Sequence, residues 1–437
     1  MAGNSWDVVI VGAGMAGLAA AGALRQSGCS VLILEARDRV GGRVWTRHEP
    51  DLTAPIELGA EFIHGRIPET LGLLQAAGKA ALAISGTRWN LRNGQLETRS
   101  SDLFEAIRAA LERSRALEKP DIPFASFLDQ SLRQGLSTEA CKLARTFVEG
   151  FDAADPSRVS THFVAREWGS GGMLDDLQFR PADGYSSVVA ALAGELGRDR
   201  IRLQLQTPVR RIRWAKGAVD IEASVQGEPF STRAARAIVT LPLGVLQADE
   251  VQFVPALEAK REALAGLASG PVLKLGLRFR KAFWEELDHG RYRDASFFHS
   301  PATTFPTFWT SLPLRTPLLT AWVGGPRAET LSEHPTQQIV REALDSLAGL
   351  FGSAVARAFE LEASYLHNWQ RDALARGAYS YVLAGGGSAR RSLAAPLAQT
   401  LFFAGEATEE DAATVPSAIR SGLRAAREVK ASMEAAA

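Results

Sequence analysis

The stretch Asp7–Ala36, "DVVIVGAGMAGLAAAGALRQSGCSVLILEA", restricts the fold more than any other part of the chain. Val8–Val11 is short, β-branched and bounded by glycine, the pattern of a strand buried on both faces. Gly12, Gly14 and Gly17 follow in G-x-G-x-x-G spacing, and Leu18–Gln26 has the composition of a helix ending near Gly28. Val31–Leu34 is a second apolar strand, closed by Glu35. Strand, glycine turn, helix and strand predict a parallel βαβ unit. In such a unit Gly12 makes the tight turn, Gly14 admits a diphosphate to the backbone, and Gly17 lets helix pack on strand. The opening helical turn presents unpaired N–H groups and a positive dipole end. Glu35 lies near the spacing of about 20 residues at which a carboxylate holds ribose hydroxyls. The unit predicts dinucleotide binding but does not choose between NAD and FAD.

The same stretch does not read as a membrane span or export signal. Trp6 and Asp7 stand where basic residues belong, and Arg25 and Gln26 interrupt the run before about 20 apolar residues accumulate. At 437 residues the chain suits two or more domains. Its 49 basic and 49 acidic side chains leave no net field for nucleic acid or an anionic membrane. Cys29 and Cys141, the only cysteines, have no second ligand at metal spacing. Neither a disulfide framework nor a metal is expected, and a cytoplasmic location fits.

"RDRVGGR", Arg37–Arg43, separates the two cofactors. A nicotinamide site has no use for arginines and a glycine pair directly after the ribose acid. Gly41-Gly42 permits a close backbone pass, while Arg39 and Arg43 offer planar donor forks to phosphate.

"LEARDRVGGRVWT" resembles the segment after the first βαβ unit of the flavin-containing amine oxidases, which include monoamine oxidases, polyamine oxidases and lysine-specific histone demethylases. The resemblance recurs in the family's order at "IELGAEFIHG" (56–65), "TPVRRIRW" (207–214), "VTLPLGVL" (239–246), "VLKLGLRF" (272–279), "WQRDALARGAYSYV" (369–382) and "LFFAGEAT" (401–408). It implies an α/β fold: a Rossmann-type FAD-binding domain, discontinuous in sequence at 1–75, 200–260 and 368–437. An interleaved substrate domain of mixed sheet and helices is expected at 76–199 and 261–367. Helices are read at Ser101–Lys119, Thr138–Gly150, Ser186–Leu196 and Thr336–Gly349, strands at 271–280, 305–312 and 317–323, and loops at 301–317 and 384–396.

The resemblance further implies an FAD site built from Gly12, Gly14, Met15, Ala16, Gly17, Glu35, Ala36, Arg37, Gly42, Arg43, Gly59, Ala60, Glu61, Val209, Trp369, Gly405, Glu406, Thr414 and Val415. Glu61 is assigned no catalytic role. Lys274 interrupts an apolar strand: it either faces solvent, as most strand lysines do, or turns inward, where an ammonium without a partner is costly. Its position matches the family lysine that reaches flavin N5 through a water. Tyr379 matches the aromatic wall beside the substrate nitrogen, and Trp369 the tryptophan lining that pocket. The second wall is Thr414, as in the histone demethylases. His64 stands either as a proton acceptor near the amine, its pKa near neutrality, or as a hydrogen-bonded structural residue. Ala378 replaces the cysteine that binds flavin covalently in monoamine oxidases, so non-covalent FAD is implied.

The expected reaction passes hydride from the carbon bearing a neutral amine to the flavin. The imine hydrolyses to an aldehyde or ketone, and dioxygen reoxidises the cofactor to give hydrogen peroxide. The partners are then a small amine and dioxygen, in a monomer or homodimer. "EWGSGGMLDDLQF" (167–179) reads as a solvated acidic loop, with recognition of a second ammonium as the alternative. Rival functions are a porphyrinogen oxidase or polyene desaturase, and a non-catalytic flavoprotein. No metal spacing or Ser-His-Asp order competes.

Overall fold

The computed structural model describes residues 5–98, 103–114, 116–169, 177–194, 196, 200–356 and 359–435. The opening unit forms as its pattern requires: β1 (Ser5–Val11), α1 (Met15–Arg25) and β2 (Val31–Leu34), with both strands parallel. Ile201–Gln204 adds beside β2, and the long strand Glu228–Val239 adds beside β1. Leu401–Phe403 then pairs with the far side of Ala237–Val239. Five parallel strands drawn from distant parts of the chain thus end together, where ligands of such sheets bind. The first half of Glu228–Val239 also pairs antiparallel with Ala218–Val225, which continues to Val209–Ala215.

Helix α1 covers one face of this sheet and crosses the helix Val415–Glu434 closely. A side chain at Gly422 would sit 2.1 Å from the Ala16 carbonyl oxygen. Small residues there let two helices share the same apolar layer, which contains Val8, Ile10, Ala20, Ile33 and Val429.

A second, mixed sheet has the order 361–368, 272–279, 318–324, 307–310, 295–299, 87–92, 95–97. Only Ala295–His299 with Thr87–Arg92 is parallel. Strand Val272–Phe279 is flanked on both sides, by Leu318–Gly324 and by Leu361–Asn368. Its Leu273, Leu275, Leu277 and Phe279 enter an aromatic-rich core with Phe283, Trp284, Phe298 and Phe308.

Helices at Thr138–Gly150, Ser186–Ala193 and Thr336–Phe351 match the periodicity. Leu103–Arg113 and a short 3-10 turn at Ala116–Glu118 stand within the helix expected at Ser101–Lys119, whose residues 101, 102 and 115 lie outside the described residues. The expected loop at 384–396 is corrected: it holds the helix Ala389–Ala394. Its end is secured from afar, because the buried Lys260 ammonium donates to the Ser392 and Ala395 carbonyls. No helix among the described residues is long and apolar enough to cross a membrane, and no group there has the make-up of a metal site.

Candidate active site

At the ends of the parallel strands the backbone makes an open cradle. Gly12 has φ +106° and donates to the Leu34 carbonyl, while Ala13 N–H donates to Glu35 Oε2 at 2.7 Å. A side chain at Gly17 would lie 2.0 Å from the Gly12 carbonyl oxygen, but one at Gly14 would meet nothing within 4 Å. Gly17 therefore serves packing, and Gly14 faces open space. Helix α1 starts after Gly14 without a side-chain cap, leaving the N–H groups of Met15 and Ala16 in its exposed-end register. Gly42 lies against Gly14, and Gly405, at φ +137°, also has open space where a side chain would project. The residues present fit a diphosphate: two bare glycine faces and a helix N-terminus converge.

Glu35 is buried, and burial raises its pKa against two backbone donors, from Arg37 and Ala13. Its carboxylate closes the glycine turn. Thr207 N–H donates to the Glu35 carbonyl at 2.8 Å, bringing the segment before the buried Val209 alongside, with Ala36 half-buried between.

Arg39 differs from expectation, and Arg37 and Arg43 meet acids from other segments. Arg39 gives its donors to the Val40, Gly42 and Val44 carbonyls and stacks over Trp45 at 4.6 Å, so it clamps its own loop rather than a phosphate. Arg37 pairs with Asp372 at 2.9 Å. Arg43 donates through one nitrogen to Ala378 O at 2.7 Å and Glu406 Oε1 at 2.8 Å. The other Glu406 oxygen receives Ser380 Oγ–H at 2.6 Å, and Arg43 with Ser380 and Arg390 holds this carboxyl below its usual range against burial. A buried carboxylate left without those cations would be costly, which is why the arginine turns inward.

The second half of the site faces this cradle from the mixed sheet. Lys274 shares a face with Gly276, where a side chain would touch Ile56 at 3.3 Å, so that face covers the segment 56–61. Its side chain is 3% exposed; Nζ lies 2.7 Å from Glu61 Oε2 and donates to Gly59 O at 3.0 Å. Gly59 in turn presses on Arg43, for a side chain there would stand 1.9 Å from the Arg43 carbonyl oxygen. Ala60 N–H donates to the same oxygen at 3.4 Å. Glu61 also meets Arg180 at 3.2 Å and the Trp309 indole N–H at 3.0 Å; the charges of Lys274 and Arg180 pull its pKa down against burial. Glu57, nearby, accepts from Tyr185 N–H and Thr46 Oγ–H, and burial pushes it up to about 7.

An aromatic wall runs on from this pair. Trp309 packs on Phe62 at 5.3 Å, Phe62 adjoins His64 at 6.1 Å, and His64 meets Phe151 edge-on at 5.4 Å. Tyr379 donates its hydroxyl to Phe151 O at 2.6 Å. Burial pushes the His64 pKa to about 4, so the ring is neutral, and its Nδ1 has no hydrogen-bond partner among the described residues. Trp369 is buried, donates to Leu58 O at 2.7 Å and stacks edge-on to His367. Thr414 caps the helix Val415–Glu434 by accepting from Ser417 N–H at 3.4 Å. Its hydroxyl is thereby a helix cap, and Val415 opens the helix.

The acidic segment is corrected in part: Glu167 is buried on the helix Thr161–Gly169 beside Asp152, and each carboxyl is raised by desolvation. Residues 170–176 of that segment lie outside the described residues. Glu57, Arg180, Trp309, Ser380 and Asp152 were not read from sequence. None carries a local signal, since each acquires its partner across more than ten residues of chain. Cys29 and Cys141 are buried and free.

The family described as "Flavin containing amine oxidoreductase" matches residues 15–430. "Lysine-specific histone demethylase 2" of Homo sapiens is 26% identical over 97% of this chain and 53% of its own length. "Polyamine oxidase 5" of Oryza sativa subsp. japonica is 28% identical over 97% of this chain and 87% of its own. The chain thus spans about half the length of the histone demethylase it matches. The solved structure of "Cyclohexylamine Oxidase" from Brevibacterium oxydans superposes with a TM-score of 0.82 at 23% identity, covering 99% of this chain and all of the other. The extent of the family match leaves one assignment: this chain belongs to the flavin-containing amine oxidoreductases.

Proposed function

We propose that this chain is an FAD-dependent amine oxidase that holds its flavin non-covalently and uses dioxygen as electron acceptor. The observation that carries the reading is the meeting of Lys274 with the loop 59–61 directly against Arg43, so that a buried ammonium borders the nucleotide cradle. FAD bound there supplies the hydride acceptor and the means of passing electrons to dioxygen. Gly12–Gly17 and Gly405 would hold the diphosphate, Glu35 the ribose, and Trp369, Thr414 and Val415 the ring. Non-covalent attachment is supported by Ala378 before Tyr379 and by the burial of both thiols elsewhere.

The protein's own part in the chemistry is to select and orient the amine. Phe62, Trp309, His64, Phe151 and Tyr379 make a surface that penalises an ammonium and favours the neutral amine, which alone can lose hydride. The neutral His64 extends that surface without being able to take up the amine's proton near neutral pH. We assign the nucleotide part to 1–75, 200–260 and 368–437 and the substrate part to the remainder, a division supported by which strands build which sheet.

The test is anaerobic. Purified yellow protein is mixed with benzylamine, cyclohexylamine, putrescine and spermine in turn, then exposed to dioxygen while peroxide is assayed. At least one amine is expected to bleach the flavin, with peroxide released on reoxidation. Colourless protein that cannot take up FAD, or bleaching by a polyene and by no amine, would overturn the proposal.

A further inference from the structure

Glu61 stands at the centre of a charge cluster that the resemblance did not assign. Its carboxylate receives Lys274 at 2.7 Å, Arg180 at 3.2 Å and the Trp309 indole N–H at 3.0 Å. The three charged side chains are 3%, 9% and 8% exposed for Lys274, Glu61 and Arg180. One carboxylate therefore serves two cations, and the excess positive charge stays buried. Glu57, the other acid of the segment, is pushed up to about 7 by burial, so at neutral pH it is only half ionised and offsets only part of that charge. On the opposite side His367 is the cross-strand neighbour of Lys274, and its ring is tied to Asp372 at 2.7 Å.

An ammonium has three N–H donors. Glu61 and the Gly59 carbonyl take two from Lys274, at 2.7 and 3.0 Å, which sets the direction of the third. Glu61 is itself held by Arg180, whose second nitrogen donates to Thr310 O at 3.2 Å and whose guanidinium lies over Phe62. Neither partner can turn without breaking a second contact.

We infer that Glu61 is a positioning residue for Lys274 rather than a cofactor ligand: it fixes the ammonium so that one N–H and a residual positive charge face the reactive edge of the flavin. The inference rests on the proposed FAD site. Its consequence lies in reoxidation, where two electrons and two protons pass from reduced flavin to dioxygen to give hydrogen peroxide. A fixed cation lowers the cost of building negative charge beside it, without reorganising at the moment of transfer.

The experiment uses the holoprotein without any amine. Flavin is reduced anaerobically by light with EDTA as electron donor, dioxygen is admitted, and the return of absorbance is timed for wild type, Glu61→Gln, Lys274→Met, the double variant and Glu61→Asp. Glu61→Gln and Lys274→Met are each expected to slow reoxidation by roughly tenfold or more. The double variant is expected to be no slower than Lys274→Met, since two parts of one device do not add. Glu61→Asp, which keeps the charge, should recover part of the rate. Thermal midpoints of the same holoproteins supply a second cycle: each single variant strands a buried charge, and the double variant should lose less than the sum. Folded, yellow Glu61→Gln that reoxidises within roughly twofold of wild type would overturn the inference, as would additive slowing with Lys274→Met. If Glu61→Gln does not fold, Glu61→Asp with Lys274→Met gives the same cycle. Because amines are absent, failure of the amine panel and failure of this inference are separate results.

Discussion

The glycine cradle and the Lys274 cluster lie against each other, yet they are made by opposite means. In the cradle, the working groups are backbone N–H groups and bare Cα positions, set by Gly12 to Gly42 near one another in the chain and joined by Gly405 from its far end. In the cluster, the working groups are charged side chains brought from positions 57, 61, 180 and 274, and each is held by the others. Backbone geometry tolerates no change of size, whereas a charge cluster tolerates size but not loss of a partner. The two halves should therefore fail differently.

The largest contrast lies inside the cradle. Gly17→Ala forces a methyl group to 2.0 Å from the Gly12 carbonyl oxygen. Because backbone is the obstacle, the cost should exceed the ~1–3 kcal/mol usual for overpacking, and most of the protein should be insoluble on expression. Gly14→Ala meets open space in the protein itself, so its apoprotein should melt as wild type does. Its FAD affinity should nevertheless fall by roughly tenfold or more, about 1.4 kcal/mol, in equilibrium titration. Equal behaviour of the two variants would remove the distinction drawn between packing and ligand glycines.

A second contrast is in pH. Glu57 has its folded pKa raised from 4.5 to about 7, so its contribution to stability is complete below 4.5 and is lost as pH rises through 7. Glu406, lowered by Arg43, Ser380 and Arg390, contributes in the other sense: its stabilisation is present above 4.5 and lost on acidification. Stability scanned across this range should lose its decline toward neutral pH in Glu57→Gln, by an amount on the order of 3 kcal/mol. In Glu406→Gln the acid-side loss should shrink instead. A shared direction in the two variants would show that the halves do not differ in this way.

His64 sharpens the comparison further. Burial pushes it to about 4, so it is neutral across the working range. His64→Asn should change KM for the amine several-fold while leaving the acid limb of the rate profile where it was; displacement of that limb would make the imidazole a proton acceptor. The smallest effect belongs to Tyr379→Phe, which removes the hydroxyl's bond to Phe151 O. A loss of ~0.5–1.5 kcal/mol in denaturant unfolding is expected, with flavin retained.

Much of the fold could be read because its signals are local. The opening βαβ unit, the helix Thr138–Gly150 and the strand Val272–Phe279 each carry their periodicity within a few residues. The helix Ala389–Ala394 could not, since the lysine that ties down its end is more than a hundred residues earlier. In the site, Lys274 was visible as a charge in an apolar strand, but its counter-ion was not. The resemblance carried Glu61 into the FAD site, but its pairing emerged only with Arg180 and Trp309 from other strands. The partners of Arg37 and Arg43, at Asp372 and Glu406, were hidden for the same reason, since they lie over three hundred residues away.

By itself the sequence determined where the glycine cradle would be and which family the chain joins, because glycine spacing and strand patterns act through the backbone of near neighbours. Only the tertiary structure decided which buried charges pair, that His64 is neutral and that Glu167 is covered. Those outcomes depend on desolvation and on distances of a few ångströms between segments far apart in the chain, and no local pattern encodes either.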